Sequence, residues 1–195
     1  MRHRSSLRAI RPRAEALSRC CLSFVAIAAL ATACNPFTHK TSAPQYPKDS
    51  RFSGFVFKSD ETPTVKDRTD SVNVRWPNME ASEAHLAIAY SSQTGFLPDK
   101  DPESWLTAVA TVPDETIQLL AEGATTDTLL PGIYPDLYEY VPQGCQFTTI
   151  DPSVADKALA PNKEKIPHDF GPMDIQALAM SEDCHLLVFT ALGHS

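Results

Sequence analysis

The sequence predicts an α+β fold: a single domain with a mainly antiparallel sheet of about six strands and about two short helices. Three observations carry this. Short runs of branched, aromatic or alternating apolar residues recur through residues 51–195 with turn signals between them. Helical signals gather at only two places, after Pro113 and after Asp151. The connections are mostly short, which favours antiparallel neighbours with the helices lying on one face of the sheet.

FSGFVF (residues 52–57) opens the series as a strand of aromatic and branched residues. Residues 58–70 are charged and aperiodic and predict a loop. SVNVRW (71–76) alternates, with Val72, Val74 and Trp76 on one face, and Pro77 ends it. HLAIAY (85–90) alternates through Leu86, Ile88 and Tyr90, and LTAVATV (106–112) follows a polar loop. Pro113 then changes the period. PDETIQLLAEG places proline and acids in a first turn, Ile117, Leu120 and Ala121 at helical spacing, and Gly123 as a stop. Pro131, Pro135 and Pro142 restrict residues 124–144 to short helical turns and loops. CQFTTI (145–150) predicts a strand, and Asp151-Pro152 supplies the N-cap and first position of a helix reaching about Leu159. A proline-punctuated loop spans 160–172. DIQALAM and CHLLVFTAL then flank Ser181-Glu182-Asp183 as a closing hairpin.

Residues 1–33 differ from all that follows. Six arginines stand against one acid, Glu15, ahead of the uncharged run CCLSFVAIAALATA. A basic start, an apolar middle and small residues at the end are the parts of a secretory signal peptide. The apolar run is short beside the roughly 20 residues of a spanning helix, although an uncleaved signal anchor is the alternative. The chain holds 17 basic and 24 acidic residues; residues 1–33 take six and one, leaving 11 against 23, a net charge of −12 on the remainder. Such a surface repels nucleic acid and anionic phospholipid, so no nucleic-acid partner is expected.

The run ends Ala31-Thr32-Ala33-Cys34. This resembles the lipobox of bacterial prolipoproteins, in which small residues precede a cysteine that receives diacylglycerol and becomes the new N-terminus. The family prefers Leu, Val or Ile three residues before the cysteine; here that place holds Ala31, with Leu30 one further back. Ala31-x-Ala33 also fits ordinary signal-peptidase cleavage. The resemblance implies lipidation of Cys34, export, and a membrane partner through that lipid. It also settles cysteine parity: Cys20 and Cys21 leave with the signal peptide and Cys34 is lipidated, so Cys145 and Cys184 remain as a disulfide pair in an oxidising compartment. Their spacing lacks the paired thiols of a zinc site. Residues 34–50, with three prolines, several hydroxyl residues and little apolar content, form the lipidated N-terminus and a flexible tether, reaching on the order of 20 Å. Residues 51–195 form the domain.

The candidate chemistry is sparse. His85, His168, His185 and His194 form no HExxH or other i, i+4 ligand pair, and neither a metal nor a cofactor is expected. His168-Asp169 is the one histidine directly beside an acid in the domain, the starting point for an envelope hydrolase, although adjacent side chains usually point apart. Asp99, Asp101 and Glu103 alternate as calcium ligands do but lack the glycine and distal glutamate of an EF-hand. No GxSxG, SxxK or GxG occurs. In LLPGIYPDLYEYVP (129–142), Ile133, Tyr134, Leu137, Tyr138 and Tyr140 make a candidate binding surface, because tyrosines on a stiff loop bury area at low entropy cost; the alternative is that the rings cap the core. The expected function is a membrane-anchored binding or interaction module for an envelope protein or peptide. The alternatives are the hydrolase and a structural or assembly lipoprotein.

Overall fold

The computed structural model describes residues 47–93, 103–164 and 170–194. The strands among them are β1 (Lys66–Asp67), β2 (Glu83–Tyr90), β3 (Glu103–Thr111), β4 (Thr148–Ile150), β5 (Met173–Ser181) and β6 (Leu186–His194). They form one open sheet in the order β1-β2-β3-β6-β5-β4, antiparallel at every pairing. Three short helices join them: α1 (Thr69–Arg75), α2 (Asp114–Leu120) and α3 (Pro152–Leu159). The α+β class and the antiparallel sheet follow the sequence prediction.

The central strand β3 is buried on both faces, from Ser104 through Ala110. One face packs on the helices. Val72 and Trp76 of the α1 region, Leu120 of α2 and Leu159 of α3 meet Leu106, Leu187 and Phe189 there. The Trp76 and Phe189 rings meet edge to face at 5.2 Å, the geometry aromatic quadrupoles favour. Asp151 caps α3 as its sequence predicts, accepting from the Ser153 (2.8 Å) and Val154 (3.4 Å) N–H groups. The Ser153 hydroxyl first, then these N–H groups, hold the Asp151 carboxyl below the usual range.

The other face is covered too, and not by helices. Trp105, Val109 and Val188 lie beneath Phe52, Ile133, Tyr134 and Leu137, so the sheet is sandwiched between a helical layer and a layer of irregular chain. This amends the expectation of one covered face. Residues 52–57 belong to that irregular layer and form no strand beyond one parallel bridge, Phe52 to Leu130. Their alternation is nonetheless real: Phe55 and Phe57 pack on Trp105 at 5.5 and 5.6 Å, while Val56 is 73% exposed. The segment crosses a sheet face, where no ladder can form. Its passage over the 129–142 segment needs glycine, since a Cβ on Gly132 would stand 2.6 Å from the Gly54 carbonyl oxygen.

Residues 71–75 belong to α1, with Trp76 at its C-cap, and form no strand. Val72 and Trp76 are four apart, and that spacing shares a face in a helix as well as in a strand. Val74, which a strand would align with them, is 46% exposed, while Ser71 and Arg75 are buried. The loop predicted over 58–70 is shortened by β1 and by the first residues of α1.

Candidate functional site

The tyrosine segment is a lid on the core. Ile133 and Leu137 are fully buried and Tyr134 is 2% exposed, so these three form no contact surface, correcting the sequence expectation. The chain between Pro135 and Tyr140 is a 3-10 turn that aims Leu137 at the sheet. The Tyr134 N–H donates to the buried Thr107 hydroxyl at 3.1 Å, fastening the lid to β3. Tyr138 and Tyr140 are half-buried. Tyr138 stacks on Phe52 at 4.4 Å, and burial, aided by Asp49, pushes its phenol upward.

Tyr140 stacks on His85 at 3.7 Å, with the rings 17° from parallel. The His85 Nδ1 lies 2.5 Å from Asp67 and its Nε2 lies 3.1 Å from Glu83. Both ring nitrogens face a carboxylate, so His85 ties β1 to β2. Desolvation first, then the charge and hydrogen bond of Glu139 and the charges of Asp67 and Glu83, raise the Tyr140 phenol and keep it neutral. The Glu83-x-His85 spacing, with both residues on one strand face, was legible in the sequence. The Asp67 contact was not, because it depends on the pairing of β1.

Cys145 and Cys184 are bonded, with their Cα atoms 5.8 Å apart. The Asp183 carboxylate accepts from the Gln146 N–H at 3.2 Å and the Ser181 hydroxyl at 2.5 Å, which fastens the same junction a second way. Cys34, His168, Asp169, Asp99 and Asp101 lie outside the described residues. Glu103, the last of the alternating acids, begins β3 and accepts from the Ser91 hydroxyl at 3.3 Å. Arg75, unremarked in the sequence, is the most buried cation among the described residues. It donates from the helical face to the Ser71 carbonyl at 3.0 Å.

Among the described residues, a concavity lies along the outer edge of β2. The Arg68 N–H donates to the Ala84 carbonyl at 3.0 Å, and Lys66 pairs with Leu86. Main-chain groups alternate in direction along an antiparallel strand. Ala84, Leu86, Ile88 and Tyr90 therefore face the β1 side, while His85, Ala87 and Ala89 face β3. The ladder with β1 stops at Leu86. Further on, the Ser92 N–H donates to the Lys58 carbonyl at 3.0 Å, closing the far end. Between these closures residues 59–64 swing away from the strand and leave a cleft of about 450 Å³. Among the described residues, the main-chain groups of Ile88 and Tyr90 on this side pair with no other strand. Asp60, Glu61 and Lys66 are exposed around the cleft, and Tyr90 with Phe170, centroids 4.7 Å apart, forms an apolar shelf.

This chain matches no protein-family profile, no curated protein and no solved structure.

The chemistry of the cleft follows from its lining. It offers main-chain donors and acceptors, one aromatic pair and a rim of two carboxylates against one ammonium. Its volume falls within the roughly 300–1,000 Å³ usual for ligand sites. Among the described residues no group of three histidine, cysteine or carboxylate side chains is placed to hold a metal ion. The arrangement can hold and orient a ligand by hydrogen bonds and stacking.

Proposed function

We propose that this protein is an exported lipoprotein, anchored through a diacylated Cys34, whose domain is a binding module for a protein or peptide of the bacterial envelope. The arginine-rich start, the apolar run and Ala31-Thr32-Ala33-Cys34 support the address. The observation that carries the binding reading is the cleft beside β2, where Ile88 and Tyr90 present main-chain groups between two hydrogen-bonded closures. A lipid anchor with a tether confines such a cleft to a surface, where even a modest affinity meets a high local concentration of partner.

Two measurements test this. Mass spectrometry of the N-terminal peptide is expected to find Cys34 as residue one, carrying diacylglycerol; an unmodified peptide beginning at Cys34 or upstream of it ends the lipoprotein reading. A photoreactive residue at Glu61, on the cleft rim, is expected to cross-link an envelope component in intact cells, whereas one at Leu119, exposed on α2, does not. Equal labelling from both positions, or none from either, ends the binding reading.

A further inference from the structure

The cleft beside β2 is specific enough to name the chemistry of its ligand. Ile88 and Tyr90 are two residues apart, and each presents an N–H and a C=O toward the cleft, which is the spacing at which an antiparallel strand exchanges its hydrogen bonds. The ladder with β1 stops at Leu86, and the Lys58–Ser92 bond closes the far end. Only a few residues of extended chain fit between these closures. A long added strand would run into Lys66 at one end and Lys58 at the other.

The rim selects among short chains. Asp60 and Glu61 stand over the cleft, with Lys66 as the one cation in the lining. Asp67 and Glu83 lie on the adjoining stretch, both engaged by His85, with the exposed Lys58 and Arg68 near the two closures; the chain beyond residue 33 carries a net −12 (11 basic against 23 acidic residues). This field favours a cationic ligand. It also opposes a second copy of the domain, whose own acidic edge would be brought face to face with this one. The Tyr90–Phe170 shelf adds a surface for one aliphatic or aromatic side chain.

Resting on the binding-module reading, we propose that the cleft captures a short cationic peptide segment, about three or four residues long. The peptide extends along β2 and completes the edge ladder at Ile88 and Tyr90, as in strand-addition recognition. Its basic side chain or terminal amine meets Asp60 and Glu61, and a neighbouring apolar side chain lies on Tyr90 and Phe170.

The test uses the soluble domain, residues 35–195, with its disulfide formed, isotopically labelled for amide spectra. The probe is the tetrapeptide amide Lys-Val-Lys-Val, titrated to 10 mM or thereabouts. The expected result is a saturable shift of the Ile88 and Tyr90 amide signals and slowed exchange of both amides. Methylating the two inner peptide nitrogens removes the donors that a ladder requires, and is expected to weaken binding at least tenfold. A Glu-Val-Glu-Val control is expected to bind at least tenfold more weakly, and Asp60→Asn with Glu61→Gln is expected to erase that preference. Unmoved Ile88 and Tyr90 signals at the highest concentration overturn the proposal, as does equal binding of the methylated peptide. So do shifts confined to another surface. A Glu61 cross-link in cells together with a silent peptide titration would retain the binding module and eliminate this ligand class.

Discussion

The two edges of the sheet are finished in opposite ways. On the β4 side, among the described residues, the main chain is met by several separate partners. The Thr125 N–H donates to the Thr149 carbonyl and the Asp151 N–H to the Gly123 carbonyl, both at 2.8 Å, and Ala124 bridges Ile150. Where β5 extends past the short β4, the Asp156 carboxylate of α3 takes the Ile175 N–H at 3.1 Å, Lys163 pairs with Asp174, and a bulge between Ile175 and Ala177 breaks the register. These are the devices by which proteins keep a sheet edge from pairing with other chains. On the β2 side two short closures bracket an open stretch at Ile88 and Tyr90. Among the described residues the fold guards one edge by three separate means and leaves a bounded gap beside β2 on the other.

The contrast predicts that the guarded side carries stability and the open side carries little. The largest effect is expected from Cys184→Ser. The bridge joins the lead-in to β4 with the turn between β5 and β6 across 39 residues, and its loss should cost about 2–5 kcal/mol in urea unfolding. A loss below about 1 kcal/mol would show that the other contacts already hold this side. Asp156→Ala comes next. It leaves the Ile175 N–H without its acceptor, at a cost of about 1–3 kcal/mol, and it should raise the aggregation rate because the β5 edge is then bare. Unchanged solubility and stability would mean that the bulge alone is sufficient protection.

At the open edge, Tyr90→Ala is expected to change stability by about 0.5 kcal/mol or less, since Tyr90 is 45% exposed. A fall comparable with that of Asp156→Ala would make this stretch of β2 a packing edge that carries stability instead of a recognition edge. The smallest effect concerns pH. The Ser181 hydroxyl above all, against some opposing desolvation and helped by the Gln146 N–H, holds the Asp183 carboxyl below its ordinary value of 3.8. A depressed carboxyl contributes stability that is complete above the unfolded-state value and fades as pH falls through the lower folded value. Wild type should therefore exceed Asp183→Ala in melting temperature above about pH 5, with the gap closing below 3.8. A gap that persists at pH 2 would assign the loss to packing instead of charge.

The elements that the sequence revealed are those whose own residues supply both period and punctuation. HLAIAY became β2, LTAVATV became most of β3, and the two runs around Ser181-Glu182-Asp183 became β5 and β6. Helices α2 and α3 began where Pro113 and Asp151-Pro152 announced them. Residues 71–76 misled because three apolar positions in six residues fit two periods, and only burial of Ser71 and Arg75 on the helical face resolved them. Residues 52–57 misled differently: the alternation was sound, but a ladder also needs a free edge beside it, and their neighbour is a sheet face.

Composition and local pattern thus determined the class of fold, the positions of the central strands and the cap of α3, because each rests on properties of nearby residues; the pairing of Cys145 with Cys184 was an expectation that the lipobox resemblance implied. The tertiary structure decided the rest. It made Ile133, Tyr134 and Leu137 a lid, since whether an aromatic loop faces water depends on what lies beneath it. It joined His85 to Asp67, 18 residues away, and it opened the cleft at Ile88 and Tyr90. A strand's alternation shows which side chains share a face, but an unpaired main-chain group is defined by the neighbour that stops short, and that neighbour is chosen only when the whole sheet assembles.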